Sequence, residues 1–447
     1  MITPTLRPIT DTPVHFYIET YGCQMNVGDT EIVVSIMQDH GYSYTDDISK
    51  ADIILINTCS VRDGAEQRVW GRLAEFASLR KRRPSLIVGV IGCMAERLRE
   101  RLTEGDKGVD IVAGPDAYRS LPSLMEEVKN GGKGVNVLLS REETYADISP
   151  VRLDRNGVSA FVSIMRGCNN MCSYCVVPYT RGAERSRPAD TIMAEVRDLF
   201  AKGYREVTLL GQNVNSYRHA DTSFADLMRM TAEVSPLLRV RFATSHPKDL
   251  SDELLDVMAS HPNICRAIHL PAQSGSDTML ERMNRKYTRA WYLERIDAIK
   301  RRMPDCAITT DLIAGFCGET QEEHEATLSL MRQVGYQFAY MFKYSEREGT
   351  KASRHMKDDI PDRLKTERLT QIINLQNELS LQSNKEDVGK SFEVLVEGAS
   401  KRNPAELVGR TSQNKVCVWA DTTHRPGDYV TVTVDDCTSA TLLCHLT

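Results

Sequence analysis

The sequence predicts an α/β protein in three parts: an N-terminal doubly wound parallel-sheet domain, a central partial (β/α)6 barrel, and a small C-terminal antiparallel β-barrel. Three observations predict it. Short apolar runs alternate with helix-length polar segments up to about residue 150. The alternation repeats on a larger scale over 158–383. After residue 385 it stops, and short β-rich runs broken by turn residues replace it. Apolar strands separated by helices make parallel sheets, and closely spaced short strands make barrels. The expected domains are 1–150, 151–384 and 385–447.

In the first part Val14–Thr20, Ala51–Asn57, Ser85–Ile91 and Asp110–Ala113 read as strands. Thr30–His40, Gly64–Arg82, Ala95–Leu102 and Leu121–Asn130 read as helices. Gly131–Arg155, rich in Gly and charge, reads as a linker. In the second part six strands are expected: Ser159–Met165, Glu206–Leu210, Arg239–Thr244, Ala267–Leu270, Ala307–Ile313 and Phe338–Tyr344. Six strands make an open barrel rather than the full eight-fold one. A long polar helix follows from about Pro361 to Asn384. The tail strands are Ser391–Ala399, Ala405–Arg410, Lys415–Trp419, Tyr429–Val434 and Ala440–Leu446.

The net charge is −5, so bulk positive charge does not drive any binding to nucleic acid. The first residues show no signal-peptide pattern. The longest apolar runs, such as Ile53–Ile56 and Leu86–Ile91, are strand-length, so no membrane partner is expected and the location is read as cytoplasmic. In a reducing compartment the twelve cysteines point to metal or catalytic roles more than to disulfides. Cys265, Cys306, Cys417, Cys437 and Cys444 sit singly in apolar or strand-like surroundings and read as small buried residues.

Cys168, Cys172 and Cys175 follow the first barrel strand with the spacing Cys-x3-Cys-x2-Cys. Three thiolates on one loop can bind three irons of a cubane and leave the fourth open. An open iron can chelate an amine and a carboxylate, the pair that S-adenosylmethionine offers. A structural zinc site is the competing reading, but it wants four ligands and no fourth lies nearby. Further polar or glycine residues stand at successive strand ends, where barrel ligands bind. They are Gly211, Gln212 and Asn213 after the second strand, Ser245 after the third, and Gln273 after the fourth with Arg285 beyond. Asp311 closes the fifth and Phe342 the sixth, while Tyr174 within the cysteine loop is placed to stack on adenine or simply to pack.

Cys23, Cys59 and Cys93 each follow a strand of the first part. In a parallel sheet those ends share one edge, where ligands bind. Three cysteines far apart in sequence are thus expected to meet in space. Coincidence among buried cysteines is the competing reading. Shared binding of a second cubane, again with one open iron, is the other.

The Cys168 spacing after a barrel's first strand resembles the radical S-adenosylmethionine superfamily. The order of all three parts resembles its methylthiotransferase family, whose tail is a β-barrel of the TRAM type. Tyr21-Gly22-Cys23-Gln24-Met25-Asn26, Gly167-Cys168-Asn169-Asn170-Met171-Cys172, Pro178-Tyr179-Thr180-Arg181-Gly182 and Gly409-Arg410-Thr411 are similar to the branch acting on isopentenyladenosine in tRNA. The resemblance implies a radical 4Fe-4S cluster on Cys168, Cys172 and Cys175 and an auxiliary one on Cys23, Cys59 and Cys93. All six cysteines then count as catalytic. It also implies two molecules of S-adenosylmethionine per turnover, one as methyl donor and one as radical source, in a chamber shielded from water. The implied partners are a tRNA anticodon stem-loop and an electron donor such as flavodoxin or ferredoxin, with the sulfur donor unknown. Cys317 stands where the family usually has Pro.

The residues say less about RNA. Arg80–Arg83, or Arg181, Arg185 and Arg187, are candidate phosphate contacts, the first group reading better as a solvated helix end. The tail has seven Lys/Arg against nine Asp/Glu, and only Lys401, Arg402, Arg410 and Lys415 beside Trp419 suggest a local patch. Competing functions are an iron–sulfur electron carrier, an RNA-binding protein with structural clusters, and the sibling branches acting on threonylcarbamoyladenosine or on a ribosomal-protein aspartate. The strand-end polar residues disfavour a carrier, which needs no such pocket.

Overall fold

The computed structural model describes residues 13–59, 63–104, 108–153 and 157–447. The first twelve residues, Ser60-Val61-Arg62 of the second cysteine motif, and Asp154 and Arg155 of the expected linker lie outside these. Two compact units result: residues 1–152 together with Tyr179–Gly182, and the remainder.

The first unit is a six-stranded parallel sheet. Its elements are β1 (His15–Tyr21), α1 (Gln24–Asp39), β2 (Ser43–Tyr44), β3 (Ile53–Thr58), α2 (Asp63–Arg82), β4 (Ile87–Gly92), α3 (Cys93–Leu98), β5 (Ile111–Ala113), α4 (Leu121–Lys129) and β6 (Gly134–Asn136). Every residue of β3 and β4 is buried, as expected of central parallel strands covered on both faces. Ile54, Ile56, Val88 and Val90 pack with Val69, Leu73 and Phe76 of α2. The strand order is β2-β1-β3-β4-β5-β6, so the winding reverses between β1 and β3. Such a reversal opens a crevice at the carboxyl ends of the flanking strands.

Three expectations change here. Helix α1 begins at Gln24, not Thr30, and α3 begins at Cys93 itself. The stretch read as a linker opens with β6, which pairs with β5. Its later part stays with the first unit: Ser35 Oγ donates to the Ser149 carbonyl and accepts from the Val151 amide.

The second unit holds the six expected barrel strands, Ser159–Ser163, Glu206–Leu210, Arg239–Phe242, Ala267–His269, Ala307–Ala314 and Phe338–Lys343. They pair in parallel as two three-stranded sheets, and a Val240–Ile264 bridge lies between the third and fourth strands. Alternate residues, such as Val162, Val207, Ile308 and Ala339, pack beneath the covering helices. The long helix Asp362–Lys385 ties this barrel to the tail. Gln376 donates to the Tyr336 carbonyl, and Asn384 donates to that of Thr438.

The tail is a closed five-stranded barrel: Ser391–Ala399, Glu406–Thr411, Val416–Ala420, Tyr429–Cys437 and Leu442–Leu446. It is not wholly antiparallel, because Val416–Ala420 and Leu442–Leu446 run parallel and close it. Arg241 donates to the Thr411 and Ser412 carbonyls, and Arg239 to that of Arg410, so the tail barrel is held at the first turns of the third strand. Among the described residues no helix is long and apolar enough to cross a membrane.

Candidate functional site

The sheet register sets the first group of cysteines. Tyr21 pairs with Thr58 and Thr58 with Gly92, so the next turns of β1, β3 and β4 leave the sheet side by side. Cys59 and Cys93 are buried there, and Cys23 caps α1. Cys23 and Cys59 touch: the hydrogen bond to Cys59 lowers the Cys23 thiol to about 6. Burial pushes the Cys93 thiol up. Gly22 makes the convergence possible. Its φ is +127°, and a Cβ there would stand 2.4 Å from the Cys59 Cβ.

A buried amide lock holds this edge. Asn26 Nδ2 donates to Asn57 Oδ1 at 3.0 Å, and Asn57 Nδ2 donates to the Asn26 carbonyl at 2.8 Å. Asn26 Oδ1 also accepts from the Cys23 amide at 3.4 Å. Asn26 closes the quoted Tyr21–Asn26 motif and Asn57 ends an expected strand, yet sequence reasoning gave them no role. Their positions, Asn26 three residues after Cys23 and Asn57 two before Cys59, were the available signal.

Sequence reasoning also missed Arg181. Expected to meet phosphate, it is 3% exposed and packs in the first unit. Its Nε donates to Cys93 Sγ at 3.1 Å, and its Nη2 to Asp29 Oδ2 at 2.6 Å. Arg185 and Arg187 are buried as well, Arg187 pairing with Glu195, so none of the three faces solvent to meet phosphate.

The second group lies on the loop after the first barrel strand. Cys168 and Cys172 are buried and Cys175 is partly so. Desolvation raises the Cys168 thiol to about 11 and Cys175 further still. Thiols so placed keep their protons until a metal displaces them. The loop is pinned at its centre: Ser173 donates to the Arg282 carbonyl at 2.7 Å and to that of Met283 at 3.0 Å. Arg285 is buried. It donates to Cys172 Sγ at 3.4 Å, the Tyr287 hydroxyl at 3.0 Å and the Pro271 carbonyl at 2.8 Å.

The other strand-end residues divide by how their polar atoms are used. Gln212 keeps both amide atoms buried with no protein partner. Asn213 is committed, donating to Asp249 at 2.7 Å and accepting from the His246 amide at 3.1 Å. Ser245 donates to the His269 carbonyl. Gln273 sits at φ +69° and bridges to Leu312 through its backbone. Asp311 lies 3.4 Å from His269 Nε2, and Phe342 is exposed in line with Phe338 and Tyr340. Gly211 is required by packing, since a Cβ would stand 2.4 Å from Met165 Cγ. Tyr174 meets the edge of Phe316, with ring centroids 6.3 Å apart. Cys317 is buried with Phe316 and Tyr344.

Both cysteine groups fit a cubane. Cys23 bonds Cys59 and acts electrostatically on Cys93, while Cys168, Cys172 and Cys175 act on one another, so the sulfurs of each group lie together. Around a cubane each thiolate meets a different iron, so three sulfurs need only surround it. The bare Gln212 amide at the end of the second barrel strand is the mark of a ligand pocket, since buried polar atoms otherwise find partners.

Of the expected RNA patch on the tail, Lys401 and Arg402 are exposed, while the other members are engaged within the protein. Trp419 is 1% exposed in the barrel core, Lys415 is spent on Asp387 and Ser383, and Arg410 pairs with Glu397 at 3.0 Å.

Three families match the chain in order: Uncharacterized protein family UPF0004 over residues 15–114, the Radical SAM superfamily over 162–331, and the TRAM domain over 385–447. Curated relatives are similar over nearly the whole chain. A tRNA-2-methylthio-N(6)-dimethylallyladenosine synthase of Bacteroides thetaiotaomicron is 56% identical, covering 95% of this chain and 94% of the relative. Proteins of the same name from Porphyromonas gingivalis (57%; 95% and 93%) and Amoebophilus asiaticus (54%; 96% and 92%) are similar too. Among solved structures, a radical S-adenosylmethionine methyltransferase of Kitasatospora setae shares the fold at a TM-score of 0.57 and 14% identity. That match covers 76% of this chain and 77% of the other.

Proposed function

The chain belongs to the tRNA-2-methylthio-N(6)-dimethylallyladenosine synthase family of radical SAM enzymes, and from this premise we propose how its residues divide the work on tRNA. It inserts sulfur and a methyl group at carbon 2 of N6-isopentenyladenosine at position 37. The observation that supports this most is the pair of three-cysteine groups, one at the switch point of a parallel sheet and one at a barrel mouth.

Cys168, Cys172 and Cys175 would hold the cluster that cleaves S-adenosylmethionine to a 5′-deoxyadenosyl radical, and Cys23, Cys59 and Cys93 the one that supplies sulfur. The chain's own residues do the rest. Ser173, pinned to Arg282 and Met283, fixes the radical loop. Arg285 steadies Cys172 with a fixed positive charge. That charge and burial depress the neighbouring His246 to about 2, so His246 stays neutral and moves no proton in the working range. The bare Gln212 amide offers a donor and an acceptor to S-adenosylmethionine.

Gln212→Leu tests that role. Removing an amide with no protein partner should leave the thermal stability of the cluster-free chain unchanged or higher. The KM for S-adenosylmethionine should rise about tenfold, equivalent to about 1.4 kcal/mol. An unchanged KM removes Gln212 from the pocket.

We assign the anticodon stem-loop as the part of tRNA engaged, because its unstacked bases can be extruded for chemistry at a cost of a few kcal/mol. A flavodoxin or ferredoxin is the proposed electron donor, and the cytoplasm the proposed location. Nucleoside analysis of tRNA from a deletion strain tests the substrate: 2-methylthio-isopentenyladenosine should vanish, isopentenyladenosine should accumulate, and a plasmid copy should restore the product. Undiminished 2-methylthio nucleosides would refute the assignment.

A further inference from the structure

Each cysteine group carries one buried guanidinium on a cysteine sulfur: Arg181 on Cys93 and Arg285 on Cys172. Their electrostatic settings differ. The partners of Arg285 are the sulfur, a hydroxyl and a carbonyl, none of them a carboxylate. Arg181 is matched by Asp29, whose carboxylate lies 2.6 Å from Nη2, while Nε donates to the sulfur, and the carboxylate also accepts from the Tyr118 hydroxyl at 3.2 Å. Arg181, Asp29 and Tyr118 are all at most 3% exposed, so water screens little of this arrangement.

We propose that the Arg181–Asp29 pair sets the reduction potential of the cluster held by Cys23, Cys59 and Cys93, Arg181 raising it and Asp29 holding it back. The inference rests on the reading of those cysteines as cluster ligands. The reasoning is charge balance. A 4Fe-4S(2+) core with three thiolates carries one net negative charge, and taking up one electron from a low-potential donor doubles it. A guanidinium on a ligand sulfur favours the reduced form, by charge and by hydrogen bonding. A carboxylate paired with it opposes that. The outcome at Cys93 is a near-neutral pair whose Nε–H still donates to the sulfur. The uncompensated Arg285 leaves the radical group the better electron acceptor. Electrons then go first to the cluster that must cleave S-adenosylmethionine, and the sulfur-donating one is not reduced needlessly. Arg181 and Asp29 are positioning residues in this scheme, acting through Cys93.

An EPR-monitored redox titration tests it. The full chain with Cys168, Cys172 and Cys175 replaced by Ala reports the auxiliary cluster alone. Arg181→Gln should lower the reduced-to-oxidised ratio at a fixed potential at least tenfold, a shift of about 59 mV for one electron. Asp29→Asn, which keeps shape and hydrogen bonding, should move it the opposite way. The double variant should return close to the parent, and Arg181→Lys should shift less than Arg181→Gln. If Arg181→Gln does not fold, Asp29→Asn and Arg181→Lys still carry the test. A pair that merely anchored Tyr179–Gly182 would give no shifts of opposite sign. A parent that binds no iron overturns the ligand reading and the proposal together. A cluster that forms but titrates alike in all variants overturns the proposal alone.

Discussion

Replacing Cys168, Cys172 and Cys175 together by Ala will abolish 5′-deoxyadenosine formation and lower the iron content from about eight to about four per chain. The effect is all-or-none because the loop has no substitute ligand. Cys317, the remaining thiol of that region, is buried among Met279, Phe316 and Tyr344. The barrel should survive, since its core of Val162, Val207, Ile308 and Leu330 lies under the helices and makes no use of the three thiols. Circular dichroism of the variant should therefore match the parent. Any 5′-deoxyadenosine above background, or retention of about eight irons, would remove these cysteines from the radical site.

The six strand ends that build this site were legible because each barrel strand is an apolar run bounded by polar turns. The convergence of Cys23, Cys59 and Cys93 was legible for a different reason. Parallel winding puts every strand's carboxyl end on one edge, so position after a strand fixes position in space. What stayed hidden were contacts that no local pattern encodes. Arg181 meets Cys93 and Asp29 across 88 and 152 residues, and its buried state could not be read from a charged, loop-like motif. Helix α1 began six residues early because Cys23, an unusual cap residue, precedes Gln24–Asp29, whose apolar positions show no helical period. Trp419, expected beside a local basic patch, is turned inward with Cys417 by strand alternation. The parallel closure of the tail depended on pairing partners, which composition does not specify.

Replacing Cys23, Cys59 and Cys93 by Ala should have the complementary outcome: 5′-deoxyadenosine still forms, but tRNA keeps its isopentenyladenosine unmodified. The first unit should hold its fold without them. Its sheet is built on Ile54, Ile56, Val88 and Val90, and the two amide bonds of the Asn26–Asn57 lock tie the start of α1 to the end of β3 without a sulfur, Cys23 Sγ adding one further bond to Asn26 Oδ1 at 3.3 Å. Each Cys→Ala change removes one sulfur from a polar edge rather than a large apolar group, so any cavity left is small. A structural cluster would behave otherwise, because metal binding would then be part of the folding free energy and its loss would melt the unit. The two readings therefore separate on one sample. Retained protease resistance of residues 13–152, with radical formation intact and methylthiolation lost, assigns the auxiliary cysteines to sulfur chemistry. Unfolding of that unit with metal loss would make the site a staple, and methylthiolation that persisted without the three thiols would move sulfur delivery elsewhere in the chain.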